Sequence, residues 1–196
     1  MEQTVTKAKT VNPSDAHDAL LVENFIGGDS DAFSSLVQRH QDGVCQFVRW
    51  YVGNGREADD IAQEVFVAAF KSLNSFRREA TFKTWLYGLA RNVCLYHVRK
   101  NGSGRLLQED DGFLEIPDMS DHAADMEKTE NRLAVRCAVD KLPSIYREIL
   151  LLREWEQMSY EDIAAALQIP IGMVRSWLHN ATVLLARKLF RQGVCL

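Results

Sequence analysis

Residues 159–190, SYEDIAAALQIPIGMVRSWLHNATVLLARKLF, constrain this chain more than any other stretch, because two helical periodicities meet there across a break that has room only for a tight turn. Ser159 stands where an N-cap belongs, Asp162 falls in the first turn near the positive helix end, and Ile163, Ala164 and Leu167 give the apolar spacing of a short helix. Pro170 then opens a second helix at a position where its missing N–H costs little. Wound at about 100° per residue, the second helix gathers Val174, Leu178, Ala181, Leu185 and Leu189 into one buried stripe and turns Arg175, Ser176, His179 and Asn180 to the opposite side. Two helices joined this way, with an outward face that is polar, basic and free of acid, make a helix-turn-helix suited to the major groove of DNA.

A net charge of −4 runs against DNA binding until the charges are placed along the chain. From Arg77 to Arg105 the bases Arg77, Arg78, Lys83, Arg91, Arg99, Lys100 and Arg105 meet one acid, Glu79. From there to Glu127 the acids Glu109, Asp110, Asp111, Glu115, Asp118, Asp121, Asp125 and Glu127 meet no lysine or arginine. After Asp162 the acids stop, and Arg175, Arg187, Lys188 and Arg191 follow. Two basic modules therefore flank an acidic spacer, and this segregation matters more for partners than the net charge does.

Helical periodicity is strong and strand alternation nearly absent, which predicts an all-α fold. The helices are expected at about 16–27, 31–53, 57–73, 81–100, 122–141, 143–155, 159–167 and 170–190, with Gly27-Gly28-Asp29 and Gly53-Asn54-Gly55 as stops. Residues 101–121 combine glycine, serine, acids and Pro117 and read as a flexible linker. The expected organisation is a flexible N-terminus over 1–15, a first helical domain over 16–100, the linker over 101–121 and a second helical domain over 122–192. The 196 residues, 46% of them hydrophobic, are enough for one core or two small ones. No run of about 18 apolar residues could span a membrane and the N-terminus lacks a signal-peptide core, so the expected location is the cytoplasm. Cys45, Cys94, Cys137 and Cys195 lie far apart, without CxxC or histidine at ligand spacing, and read as buried thiols rather than a zinc site or disulfides.

In the helix DDIAQEVFVAAFKSL an apolar arc of Ile61, Ala62, Val65, Phe66, Ala69, Phe70 and Leu73 leaves Asp60, Gln63, Glu64, Val67 and Lys71 opposite. By residue type that opposite stripe is a solvated face. A di-iron carboxylate site would need a Glu-x-x-His pair, and His40 and His97 lie outside that spacing. The next segment, SFRREATFKTWLYGLARNVCLYHVRK, mixes aromatic and basic residues as single-strand-binding surfaces do. Phe82, Leu86, Leu89 and Val93 form its core stripe, while Lys83, Tyr87 and Arg91 recur at i, i+4 and i+8 on another face. From the residues alone, Trp85, Tyr87 and Tyr96 are either core aromatics or base platforms, and Asn92 is either a contact or an exposed amide.

The order DDIAQEVFVAAFKSLNSFRREATFKTWLYGLARN, acidic linker, LPSIYREILLLREWEQMSYEDIAAAL and recognition helix resembles bacterial extracytoplasmic-function (ECF) sigma factors, group IV of the sigma-70 family, from about Ala16 to Phe190. The resemblance implies a non-catalytic RNA polymerase subunit with a region 2 domain and a region 4 domain, needing no cofactor or metal. It implies that Asp60, Gln63 and Glu64 of the D-x-x-Q-E helix dock on the clamp helices of the β′ subunit, with the β flap as a further polymerase contact. It assigns Arg77, Arg78, Thr81, Lys83, Tyr87, Arg91 and Asn92 to the −10 element, where a flipped base is captured and the strand held open. It assigns Gly172, Arg175, Ser176, His179 and Asn180 to the −35 element. Control by an anti-sigma factor, often membrane-anchored, comes with the same resemblance. The recognition helix departs from the family pattern, carrying Met173, Trp177, Asn180 and Thr182 where Thr, Arg, Arg and Arg are common. The alternatives are a stand-alone regulator using only residues 122–190, which leaves the Asp60–Glu64 stripe idle, and an enzyme. Against an enzyme, the five histidines are scattered and neither a Gly-rich phosphate loop nor a nucleophile–base pair is visible.

Overall fold

The computed structural model describes residues 13–53, 55–100, 135 and 137–191. All regular structure among them is helical. Helices α1 (Pro13–Ile26), α2 (Ser30–Val52), α3 (Arg56–Ser72, prolonged by a 3-10 turn Leu73–Ser75) and α4 (Phe82–Lys100) form an N-terminal bundle. The C-terminal bundle has α5 (Ser144–Leu150), which runs into a π-helical turn Leu151–Trp155, then α6 (Tyr160–Leu167) and α7 (Ile171–Arg191). The linker expected at 101–121 and most of the helix expected at 122–141 lie outside the described residues, as does Cys195.

Helix ends follow the local chemistry. Asp29 caps α2 by accepting the Asp31 N–H at 3.0 Å, and Gly28 supplies the left-handed φ of 104° that the α1–α2 turn needs. Ser159 caps α6 by accepting the Asp162 N–H at 3.1 Å. Gln168 closes α6 in the left-handed conformation, its N–H bonded to the carbonyls of Ala164 and Ala165. Pro170 stands one position earlier than expected: its carbonyl accepts the first N–H groups of α7, from Met173 at 2.8 Å and Val174 at 3.3 Å, and the helix proper starts at Ile171.

The apolar faces pack largely as the periodicity requires. Ile61, Ala62, Val65, Ala69 and Leu73 of α3 are buried, as are Val174, Leu178, Ala181 and Leu189 of α7. Several expected core positions are corrected: Phe66, Leu89, Val93 and Leu185 pack against the core but are only partly buried. Phe70 is half-exposed, its ring lying edge-on to Phe25 and Phe33 at 5.3 and 5.1 Å, because only one side of it is roofed by α1 and α2. Ala164 is only partly buried, and Ala166 packs inward instead.

Helix α1 is pinned to α2 by a buried charge cluster. The Asp18 carboxylate, 1% exposed, takes Arg39 Nε and His40 Nε2 on separate oxygens, both at 2.7 Å. Burial alone would push this carboxyl up, but the hydrogen bonds and charges of His40 and Arg39 outweigh it and hold Asp18 below its ordinary value. Burial pushes the Cys94 thiol up to about 12, whereas Cys45 is half-buried and Cys137 exposed, so the last departs from the expected burial.

Candidate functional site

The first candidate surface lies on α3. Asp60, Gln63, Glu64 and Val67 are all exposed, and their spacing puts them on one helix face directed away from the core. Glu64 is held by a neighbour that the sequence reading left unassigned: His97 of α4 approaches its Oε2 with Nε2 at 2.7 Å. The exposed Tyr96 ring lies against His97, 5.5 Å between centroids, so charged and aromatic groups share this surface.

The second candidate set begins in the loop before α4. Phe76 and Phe82 anchor the two loop ends on Trp85, with centroids 5.1 and 5.8 Å from it, and leave Arg77 exposed to solvent. Arg78 adopts a left-handed φ of 58° and pairs with Glu23 of α1 at 2.7 Å. Thr81 is occupied as the cap of α4, its Oγ1 accepting the Thr84 N–H at 3.1 Å. Asn92 is exposed, as its position on α4 predicts.

The Lys83, Tyr87, Arg91 row is where structure and sequence part. These residues do share one face of α4, but that face is covered by the C-terminal bundle. Lys83 Nζ reaches Glu156 Oε2 at 2.8 Å and the Glu156 carbonyl at 2.6 Å. Arg91 Nε donates to Glu148 Oε1 at 2.9 Å, and the Tyr51 hydroxyl donates to the same oxygen. Tyr87 is 1% exposed, edge-on to Phe47 at 5.2 Å, so in this arrangement it is a core aromatic and no open base platform. Its hydroxyl is buried beside Glu156 and Gly43 without a hydrogen bond of normal geometry. The groups that close this face, Glu148 and Glu156, were missed because acids on an amphipathic helix usually read as solvated. Gly43 and Gly88 were the available signal, since glycine in a helix interior is unfavourable unless something must come close.

The third surface is on α7. Gly172, Arg175, Ser176, His179 and Asn180 are all exposed, and so is Met173. Around Gly172 the space is open, with nothing within 4 Å of where a Cβ would stand. Of the departures from the family pattern, Trp177 packs partly against the core, and Thr182, though exposed, returns its hydroxyl to the Leu178 carbonyl at 2.8 Å. Among the described residues no group of three His, Cys, Asp or Glu side chains could hold a metal ion, and no helix is long and apolar enough to cross a membrane.

Residues 36–104 match Sigma-70 region 2 and residues 132–185 match Sigma-70, region 4. The RNA polymerase sigma-H factor of Pseudomonas aeruginosa is 36% identical over 172 residues, covering 84% of this chain and 89% of that protein. The ECF RNA polymerase sigma-E factor of Haemophilus influenzae is 34% identical, over 88% of this chain and 95% of the relative. Among solved structures, CnrH in complex with the cytosolic domain of CnrY superposes with a TM-score of 0.65 at 24% identity, covering 89% of this chain and 98% of that one. The sigma factor RpoE in complex with the anti-sigma factor NepR from Bartonella quintana gives the same score at 21% identity, covering 80% and 96%.

Proposed function

Because the chain belongs to the ECF sigma factors of the sigma-70 family, we propose that it works as an alternative RNA polymerase sigma factor through three surfaces of its own: the α3 row, the loop and face of α4, and the outward face of α7. Asp60, Gln63 and Glu64 bind the clamp helices of the polymerase β′ subunit, and the C-terminal module reaches the β flap. The observation that carries this reading is the pairing, in one chain, of an exposed acidic row clear of the N-terminal core with an acid-free exposed helix face in the C-terminal module. A stand-alone regulator has a use for the second surface alone.

Arg77, Arg78, Thr81, Lys83, Arg91 and Asn92 serve the −10 strand, with Tyr87 supporting α4 from the core rather than touching a base, and Gly172, Arg175, Ser176, His179 and Asn180 serve the −35 element. The cations neutralise strand phosphates, while Arg175 and Asn180 can address base edges, arginine with the geometry for guanine and asparagine for adenine. The protein acts beside the polymerase without chemistry of its own and is held inactive by an anti-sigma factor, which a membrane anchor would fix at the cytoplasmic face. Relatives seen bound to NepR or to the cytosolic domain of CnrY support such a partner.

The test is initiation in vitro. Core polymerase plus this protein, given fragmented genomic DNA, should yield transcripts with discrete start sites that share two upstream elements. A protein that binds DNA by itself and leaves core polymerase unable to initiate would be a stand-alone regulator instead.

A further inference from the structure

Among the described residues, Glu64 is the member of the exposed α3 row whose side chain is bonded to another helix. Glutamate is one of the side chains with most rotamer freedom to lose, and half of this one is open to solvent. His97 of α4 removes that freedom, with Nε2 standing 2.7 Å from Glu64 Oε2. An ionised carboxylate can only accept, so Nε2 carries the hydrogen and donates it whether the ring is neutral or charged. The imidazole is confined in turn. Its side chain is 19% exposed, and the Tyr96 ring stands edge-on to it at 89° between planes. One hydrogen bond leaves a carboxylate with further acceptor capacity, so a held Glu64 can still receive a donor from a partner.

A tie between α3 and α4 would be a poor use for this pair. The two helices already share an apolar cluster, with Ile61, Val65 and Ala69 of α3 beside Leu86, Ala90 and Cys94 of α4, and a bond to a half-exposed carboxylate adds little to that. What the pair does fix is the place of a charge. We propose that His97 is a positioning residue for polymerase binding: it holds the Glu64 carboxylate in one rotamer before the β′ clamp helices arrive, so that docking does not have to order it. This rests on the reading of the α3 row as the polymerase-binding surface. Ordering an interface side chain in advance strengthens binding without adding a contact, and His97 therefore acts through Glu64 alone.

A double-mutant cycle on the full chain separates this role from a structural one. His97→Leu removes the donor, His97→Gln restores an N–H at similar reach, and each is made with and without Glu64→Ala. Fluorescence anisotropy of the N-terminally labelled chain, titrated with core polymerase, gives affinity, and urea midpoints give stability. His97→Leu should weaken core binding roughly three- to tenfold, the cost of immobilising one rotamer-rich side chain on binding, with a midpoint close to wild type. His97→Gln should recover most of that loss. With Glu64→Ala present, His97→Leu should have no further effect. Undiminished binding by folded His97→Leu, a loss that His97→Gln does not recover, or the same loss in the Glu64→Ala background overturns the proposal. Should His97→Leu lower the midpoint, Glu64→Asp keeps the charge on the row and draws it back from the ring by one methylene; it must weaken core binding by a similar factor, and wild-type binding overturns the proposal equally. Failure of the wider reading looks different. Wild-type affinity in Glu64→Ala removes Glu64 from the interface and the proposal with it, whereas a weakened Glu64→Ala beside an unaffected His97→Leu removes the role of His97 alone.

Discussion

Tyr87 is a residue whose part depends on its surroundings. With its ring sealed against Phe47, Tyr87→Ala should cost about 3–5 kcal/mol of stability, so this substitution says little about DNA. Tyr87→Phe removes a hydroxyl that makes no hydrogen bond of normal geometry and should shift stability by less than about 0.5 kcal/mol. Urea unfolding of both variants checks the pair. Asp18 gives a pH dependence of known sign. Its folded value lies below the usual carboxyl value of about 4, so its stabilisation is complete above that and is lost as pH falls through the lower folded value. Asp18→Asn should destabilise by about 3 kcal/mol near neutrality, and the gap to wild type should narrow as pH falls below the usual carboxyl value. Denaturant midpoints across that range show it. On α7, Arg175→Ala should weaken transcription mainly from promoters bearing the native −35 element, whereas Asn180→Arg should raise affinity for all sequences and steepen the salt dependence by close to 1. Matched and scrambled −35 templates over a salt series separate base reading from phosphate anchoring.

At the scale of the element, legibility followed locality. The Ser159 cap, the turn before α7 and its buried stripe were readable because each depends on residues within one or two turns. Helix α4 was not, because its periodicity reports how many faces are apolar and leaves open what covers the others. Its second face is covered by residues more than fifty positions away, Glu148 and Glu156, and the only local trace of that is Gly88 where a better helix former could stand. The α3 row is the opposite case: Asp60, Gln63 and Glu64 are exposed as their spacing requires, and what the periodicity left out is the His97 contact that orients Glu64. Reversing Asp60 and Glu64 to lysine should abolish binding to core polymerase with little loss of fold, since neither is buried. Core affinity measured beside circular dichroism decides it, and undiminished binding by the folded double variant would remove the row from the interface.

Across the whole molecule, two helical modules are joined so that the C-terminal one covers a polar face of α4. Their order along the chain, and the family they signal, were legible because two motifs fall in sequence at a fixed separation. Their mutual docking needed coordinates, because ion pairs between distant segments leave no periodicity. A sigma factor makes core polymerase open a particular promoter. Permanganate reactivity of thymines, on a promoter defined by sequencing start sites, tests it most directly. Reactive thymines near the −10 position should appear only when core polymerase and this protein are both present, and should fade with Lys83→Ala and Arg91→Ala while core affinity holds. No reactive thymines with both proteins present, on DNA that this chain binds alone, would contradict the claim.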